Sequence, residues 1–150
     1  MKKHYGHRVR ILHWCTDQAM TQALAQMELT AAQGHIMGYL ARSPQPPCPK
    51  DIEEAFQLSH PTVSGLLARL EKKDFISLQP DPADRRCKRI HIRPKGQECN
   101  QRMRSIIESN ESRMVQGFSD QEKTLFLDLL ERAITNMGGH PCKKEETEKQ

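Results

Sequence analysis

"DPADRRCKRIHI", residues 81–92, is the stretch on which the reading of this chain turns. It opens on Asp81-Pro82, which is hostile to helix. It then places Arg85, Arg86, Lys88 and Arg89 within five positions and closes on the alternation of Ile90 and Ile92. Just upstream, "FISLQ" (75–79) alternates in the same way. Two alternating runs separated by a Pro/Asp turn predict a β-hairpin, with Ile76 and Leu78 facing Ile90 and Ile92 and a tip over 80–86. A solvated turn rarely needs so many cations. From Arg69 to Lys95 there are nine Lys/Arg against four Asp/Glu, a local excess of five that is larger than the net charge of +4 for all 150 residues. The hairpin is therefore built to meet something negative.

Upstream of the hairpin, Val63, Leu66, Leu67 and Leu70 follow the i, i+3, i+4, i+7 spacing of a helix over 60–73. Ser59 or His60 caps it. A short helix over 51–57, burying Ile52, Ala55 and Phe56, precedes it across a tight turn at Leu58-Ser59. "SPQPPCP" (43–49) reads as a stiff, non-helical loop. Thr30-Ala-Ala-Gln33 is a capping box that opens a helix to about Arg42. Residues 8–28 form a long first helix with the stripe Leu12, Cys15, Ala19, Ala23, Met27. Downstream, Pro94 begins a helix to about Phe118 with Cys99, Met103, Ile106, Ile107 and Met114 on one face. Ser119-Asp-Gln-Glu122 caps a last helix with Phe126, Leu129, Leu130, Ala133 and Met137 inward, and Gly138-Gly139 ends it. Residues 139–150 read as a disordered tail.

The class is thus mainly α with a small β-hairpin wing. Two short helices joined by a tight turn are the minimal device for placing a helix in a major groove. The outer face of the 60–73 helix carries Pro61, Ser64, Gly65 and Ala68, flanked by Thr62 and Arg69. It is small and hydroxyl-bearing, which permits close approach to bases and phosphates. A short core helix whose outer face merely happens to be small accounts for that helix equally well; the hairpin tips the balance. A narrow minor groove attracts inserted arginine, and Arg85 and Arg86 sit at the tip, with Asp84 expected to contact a neighbouring arginine. A reading helix plus an arginine-tipped wing is a winged helix-turn-helix.

"LTAAQGHIMGYL", "LSHPTVSGLLARLEKKDFI" and "DPADRRCKRIHIRPKG", in this order and spacing, resemble the multiple antibiotic resistance regulator (MarR) family of bacterial transcription regulators. The likeness is strongest over 29–96. It implies one domain over 1–150, with a winged core at about 30–93 and dimerisation helices at about 8–28 and 94–138. In the family's wing motif Asp84 braces the wing and Arg86 enters the minor groove. The recognition helix begins at the segment matched by Ser59 to Ser64, and Lys88 completes the basic tip. Departures are Asp74 where glycine is common, Gly65 where a larger and often basic residue is frequent, "RPKG" before the fifth helix, and the Pro-rich loop. The resemblance also implies a homodimer on a pseudo-palindromic operator, acting as a repressor. It further implies a cleft for small aromatic or lipophilic effectors, for which Trp14, His35, Tyr39 and Met103 are candidates. Some relatives sense oxidants through a cysteine in the first helix, which makes Cys15 a redox candidate, against the reading of a buried, inert thiol.

Other chemistries find little support. His13 and Cys15, two apart, point to separate helix faces, so His4, His7, His13 and Cys15 are not read as a metal site. Cys87, beside Arg86 and Lys88, could have a lowered pKa, but a plain wing residue is the simpler reading. Five widely spaced cysteines form neither a disulfide framework nor a zinc motif. No run of about 18 apolar residues exists, and no nucleophile elbow, zinc-protease motif or phosphate-cradling loop occurs. The expectation is a cytoplasmic, cofactor-free, non-enzymatic regulator without membrane contact. The alternatives are a thiol-based redox-sensing repressor and a winged helix used only for protein contacts.

Overall fold

The computed structural model describes residues 4–139, and the tail expected beyond Gly139 lies outside them. The described chain divides into two units, up to residue 110 and from residue 111 onward. In the first, α1 (Tyr5–Gln26) starts three residues before the expected position. His4 offers no side-chain cap there, so nothing in the sequence marks that start. Of the predicted stripe on α1 only Ala23 is buried, joined by Leu24; Cys15 is exposed rather than buried.

The helix α2 (Ala31–Arg42) begins at the expected capping box. The Gln33 amide donates to Thr30 Oγ1 at 3.3 Å, and the Thr30 amide donates to Gln33 Oε1 at 3.0 Å. Such a cap contributes about 1 kcal/mol. Ile36, Met37 and Leu40 face inward as their spacing predicts. The helix α3 (Pro49–Phe56) starts earlier than expected: Pro49, assigned to the loop, is its first residue, where a missing N–H costs nothing. The Cys48 amide donates to Asp51 Oδ2 at 2.7 Å, and this contact holds the Asp51 carboxyl below its ordinary range. On α3, Ile52 is buried and Phe56 half-buried, but Ala55 is exposed, against the expectation.

After Gln57 in the left-handed region (φ 52°), α4 (His60–Lys72) buries Val63, Leu67 and Leu70. The chain leaves α4 through Asp74, also left-handed at φ 69°. An aspartate tolerates this conformation better than most residues, so the left-handed exit is made here without a glycine. The hairpin pairs β1 (Ile76–Pro80) with β2 (Lys88–Ile92), with Ile76 opposite Ile92 and Leu78 opposite Ile90. In place of a third strand, the Pro-rich loop lies along the free edge of β2, where the Ile90 amide donates to Pro47 O at 2.8 Å.

The helix α5 (Pro94–Met114) ends four residues before the expected Phe118, and Cys99 and Met103 are its buried contribution to the core. Glycine at position 96 is obligatory. A Cβ there would fall on the Phe75 carbonyl oxygen and within 2.8 Å of Ile92 Cγ2. Phe75, Ile76, Ile90, Ile52, Val63 and Leu70 seal this core at 2% exposure or less. Each contributes roughly 1.5–3 kcal/mol by burial.

The second unit holds α6 (Asp120–Asn136), started by the Ser119/Glu122 capping box. Phe118 and Phe126 meet edge to face at 5.8 Å. None of α6 is buried in the single chain. Phe126 and Leu130 are half-buried, while Leu129, Ala133 and Met137, all expected inward, are exposed.

Candidate nucleic-acid interface

Turning Val63, Leu67 and Leu70 inward leaves Ser59, His60, Pro61, Thr62, Ser64 and Arg69 of the α4 segment exposed. Gly65 is half-buried and faces open space: a Cβ there would meet nothing within 4 Å. Its cost to the helix, roughly 1 kcal/mol against alanine, is therefore not forced by packing within the chain. The expected side-chain cap is absent. Ser59 Oγ and Thr62 Oγ1 bond to each other at 2.8 Å, and neither closes the first turn. A helix start left open in this way suits a phosphate. His60 is held from below, with Nδ1 2.6 Å from Oε1 of Glu53 on α3.

The side-chain ion pair of the wing is made by Asp81, and the expected contact of Asp84 with a neighbouring arginine is to the Arg86 backbone amide. The Asp81 side chain is nearly enclosed. Its Oδ2 accepts from Arg89 Nε at 2.6 Å and its Oδ1 from the Ala83 amide at 2.8 Å. Its own amide donates to Cys87 O at 2.9 Å. The Ala83 N–H and then the Arg89 guanidinium hold the Asp81 carboxyl below its ordinary value. Arg89 Nη1 also reaches Pro46 O at 3.3 Å, tying the wing to the Pro-rich loop. Asp84 works through the backbone instead, accepting the Arg86 amide at 3.0 Å and giving its carbonyl to the Cys87 amide at 2.9 Å. The Asp84 carboxylate pushes the Cys87 thiol up, the reverse of the activation considered from its basic neighbours.

Arg89 is thus consumed as a strut, whereas the other cations of the hairpin tip point outward. Among the described residues no ion pair engages Arg69, Arg85, Arg86 or Lys88, and all four are exposed. Asp81, Arg89 and Glu53 were missed as site residues. The one signal for the first two was an acid and a base at opposite ends of one turn.

The four effector candidates are not gathered together in the single chain. Trp14 is 60% exposed beside residues of its own helix. His35 is exposed, Tyr39 packs edge-on against Phe56 at 5.7 Å, and Met103 is in the core. A cavity of about 440 Å³ instead lies between the end of α1 and the start of α5, lined by Met27, Phe75, Lys95, Cys99 and Arg102 among others. Burial raises the Cys99 thiol there. Among the described residues, no group of His, Cys, Asp or Glu is arranged to hold a metal. No helix among them is long and apolar enough to cross a membrane.

A two-helix reader beside a cation-tipped, acid-braced hairpin defines a winged helix-turn-helix protein. Residues 27–86 match the model of the MarR family. The chain is 28% identical over 118 residues to the HTH-type transcriptional regulator PecS of Dickeya dadantii, covering 77% of this chain and 71% of that protein. It is 32% identical over 76 residues to the HTH-type transcriptional regulator YsmB of Bacillus subtilis, about half of each. Its structure superposes on that of S. aureus MepR in a DNA complex with a TM-score of 0.77 at 30% identity, covering 89% of this chain and 99% of that one. The chain belongs to the MarR family.

Proposed function

We propose that the protein is a homodimeric, sequence-specific transcriptional regulator that binds a pseudo-palindromic duplex operator as a repressor and is released by a small aromatic or lipophilic ligand. The carrying observation is that Ser59, His60, Pro61, Thr62, Ser64, Arg69, Arg85, Arg86 and Lys88 are exposed, while Glu53 and Asp81 are spent on bracing. A similar chain, MepR, has been crystallised with DNA. The α4 face supplies hydroxyls and a histidine to the major groove, and Arg86 enters the minor groove. The dimer is held by α1, α5 and α6, whose exposed apolar side chains have no cover in one chain. A DNA-binding role places the protein in the cytoplasm.

The test is duplex binding as a function of salt. A protein neutralising several phosphates shows log affinity falling linearly with log salt. Arg86→Ala should cost on the order of 1–3 kcal/mol of specific binding at matched salt. Parental affinity in that variant removes Arg86 from the interface, and no salt-sensitive duplex binding at all leaves a winged helix used for protein contacts. A second reading, a repressor switched by oxidation of Cys15, is favoured by the exposure of that thiol. Peroxide titration of wild type and Cys15→Ser, read by operator release, separates thiol from ligand.

A further inference from the structure

His60 is the first residue of α4, the end of a recognition helix that meets base edges in helix-turn-helix proteins. Its side chain is 73% exposed, whereas that of Glu53 is only 23% exposed. The ring is thus presented outward on a largely enclosed carboxylate. A carboxylate can only accept. With Glu53 Oε1 2.6 Å from Nδ1, the ring hydrogen belongs on Nδ1, and Nε2 of the neutral ring keeps a lone pair. The other polar group near Nε2 is the Ser64 hydroxyl, at a long 3.4 Å. Of the other charges on α3, Lys50 and Glu54 face each other at 3.9 Å, and Asp51 is held by the Cys48 amide.

We propose that Glu53 is a positioning residue that makes Nε2 of His60 a hydrogen-bond acceptor, so that His60 reads an exocyclic amino group in the major groove. In that groove adenine N6 and cytosine N4 are the amino donors, whereas guanine and thymine present acceptors that a lone pair repels. A phosphate oxygen is refused for the same reason; the Ser59 and Thr62 hydroxyls and Arg69 serve the backbone. The proposal rests on the duplex-binding reading and adds a specificity rule to it.

The test uses the full chain at a pH where the ring is neutral. Nitrogen-15 spectra of wild type should show a pyridine-like Nε2 and a pyrrole-like Nδ1 for His60, and Glu53→Ala should move Nε2 toward the pyrrole-like range. Random duplexes selected by wild type should be enriched for adenine or cytosine at one position in each half-site, and which of the two is enriched identifies the base. Glu53→Ala and His60→Ala should both lose that enrichment, each by about two- to tenfold, the range of one hydrogen bond. His60→Ala guards against a misfolded α3, because it leaves Glu53 in place. A pyrrole-like Nε2 in wild type, or selection profiles that neither variant alters, would overturn the proposal while leaving duplex binding intact. If no duplex is selected at all, the duplex-binding reading falls, and the proposal with it.

Discussion

Ile52 on α3 and Leu125 on α6 are both aliphatic side chains on capped, amphipathic helices. Ile52 is 0% exposed and Leu125 is 56% exposed. The same contrast holds region by region. The segment from α2 to β2 buries its main apolar side chains in a core completed by Leu24, Leu29, Cys99 and Met103 of the same chain, whereas α6 leaves Leu125, Leu127, Leu129 and Ile134 about half exposed. Periodicity alone does not say which chain will cover a stripe. In the winged core it describes a fold complete in one chain; on α6 it describes a surface that no other described residue covers.

The sharpest way to break this contrast is at Phe75, 1% exposed and at the centre of the core. Phe75→Ala should cost about 3–5 kcal/mol and lower the urea midpoint of the whole winged core. A loss below about 1 kcal/mol would show that this core is not self-sufficient. Next comes Leu129→Glu on α6, at a position 47% exposed in the chain. Sedimentation at micromolar concentration should then fall from the mass of two chains to that of one, with amide protection over residues 31–92 retained. A mass that stays dimeric would move the assembly surface elsewhere.

The smallest effect concerns the wing. The Asp81 carboxyl lies below the ordinary aspartate value of 3.8, so its stabilising contribution is fully present above that value. It is lost only as pH falls through the lower, folded value. The Arg89 Nε–H resonance should therefore stay protected from pH 7 down to pH 4 and vanish in Asp81→Asn. Loss of protection by pH 5 would mean that Asp81 is not the brace.

What could be read in advance was whatever a short local pattern encodes. The two Ser/Thr capping boxes at Thr30 and Ser119 and the pairing of Ile76 with Ile92 all depend on residues close in sequence or on strict alternation. The exposed Ser/Thr face of α4 and the arginines of the wing were legible for the same reason. Other features depend on three-dimensional neighbours. Asp81 and Asp84 are interchangeable on paper, and only the strand register brings Asp81 to Arg89. Glu53 looks like a solvated charge until the turn at Gln57 folds His60 back onto it. Cys15 and the α6 stripe were expected to be buried because alternation and helical spacing do not distinguish a chain's own core from a surface between chains.

The junction at Gly96 has a mechanical consequence. The Arg93 amide donates to Phe75 O at 3.0 Å, Lys95 Nζ donates to Lys73 O at 2.9 Å, and Arg93 pairs with Asp74 at 3.0 Å. With no room for even a methyl group at position 96, the first turn of α5 is clamped to the exit of α4. The joint has no slack. To rotate the near end of α5 against the exit of α4, the chain would have to break these contacts or open the space at position 96.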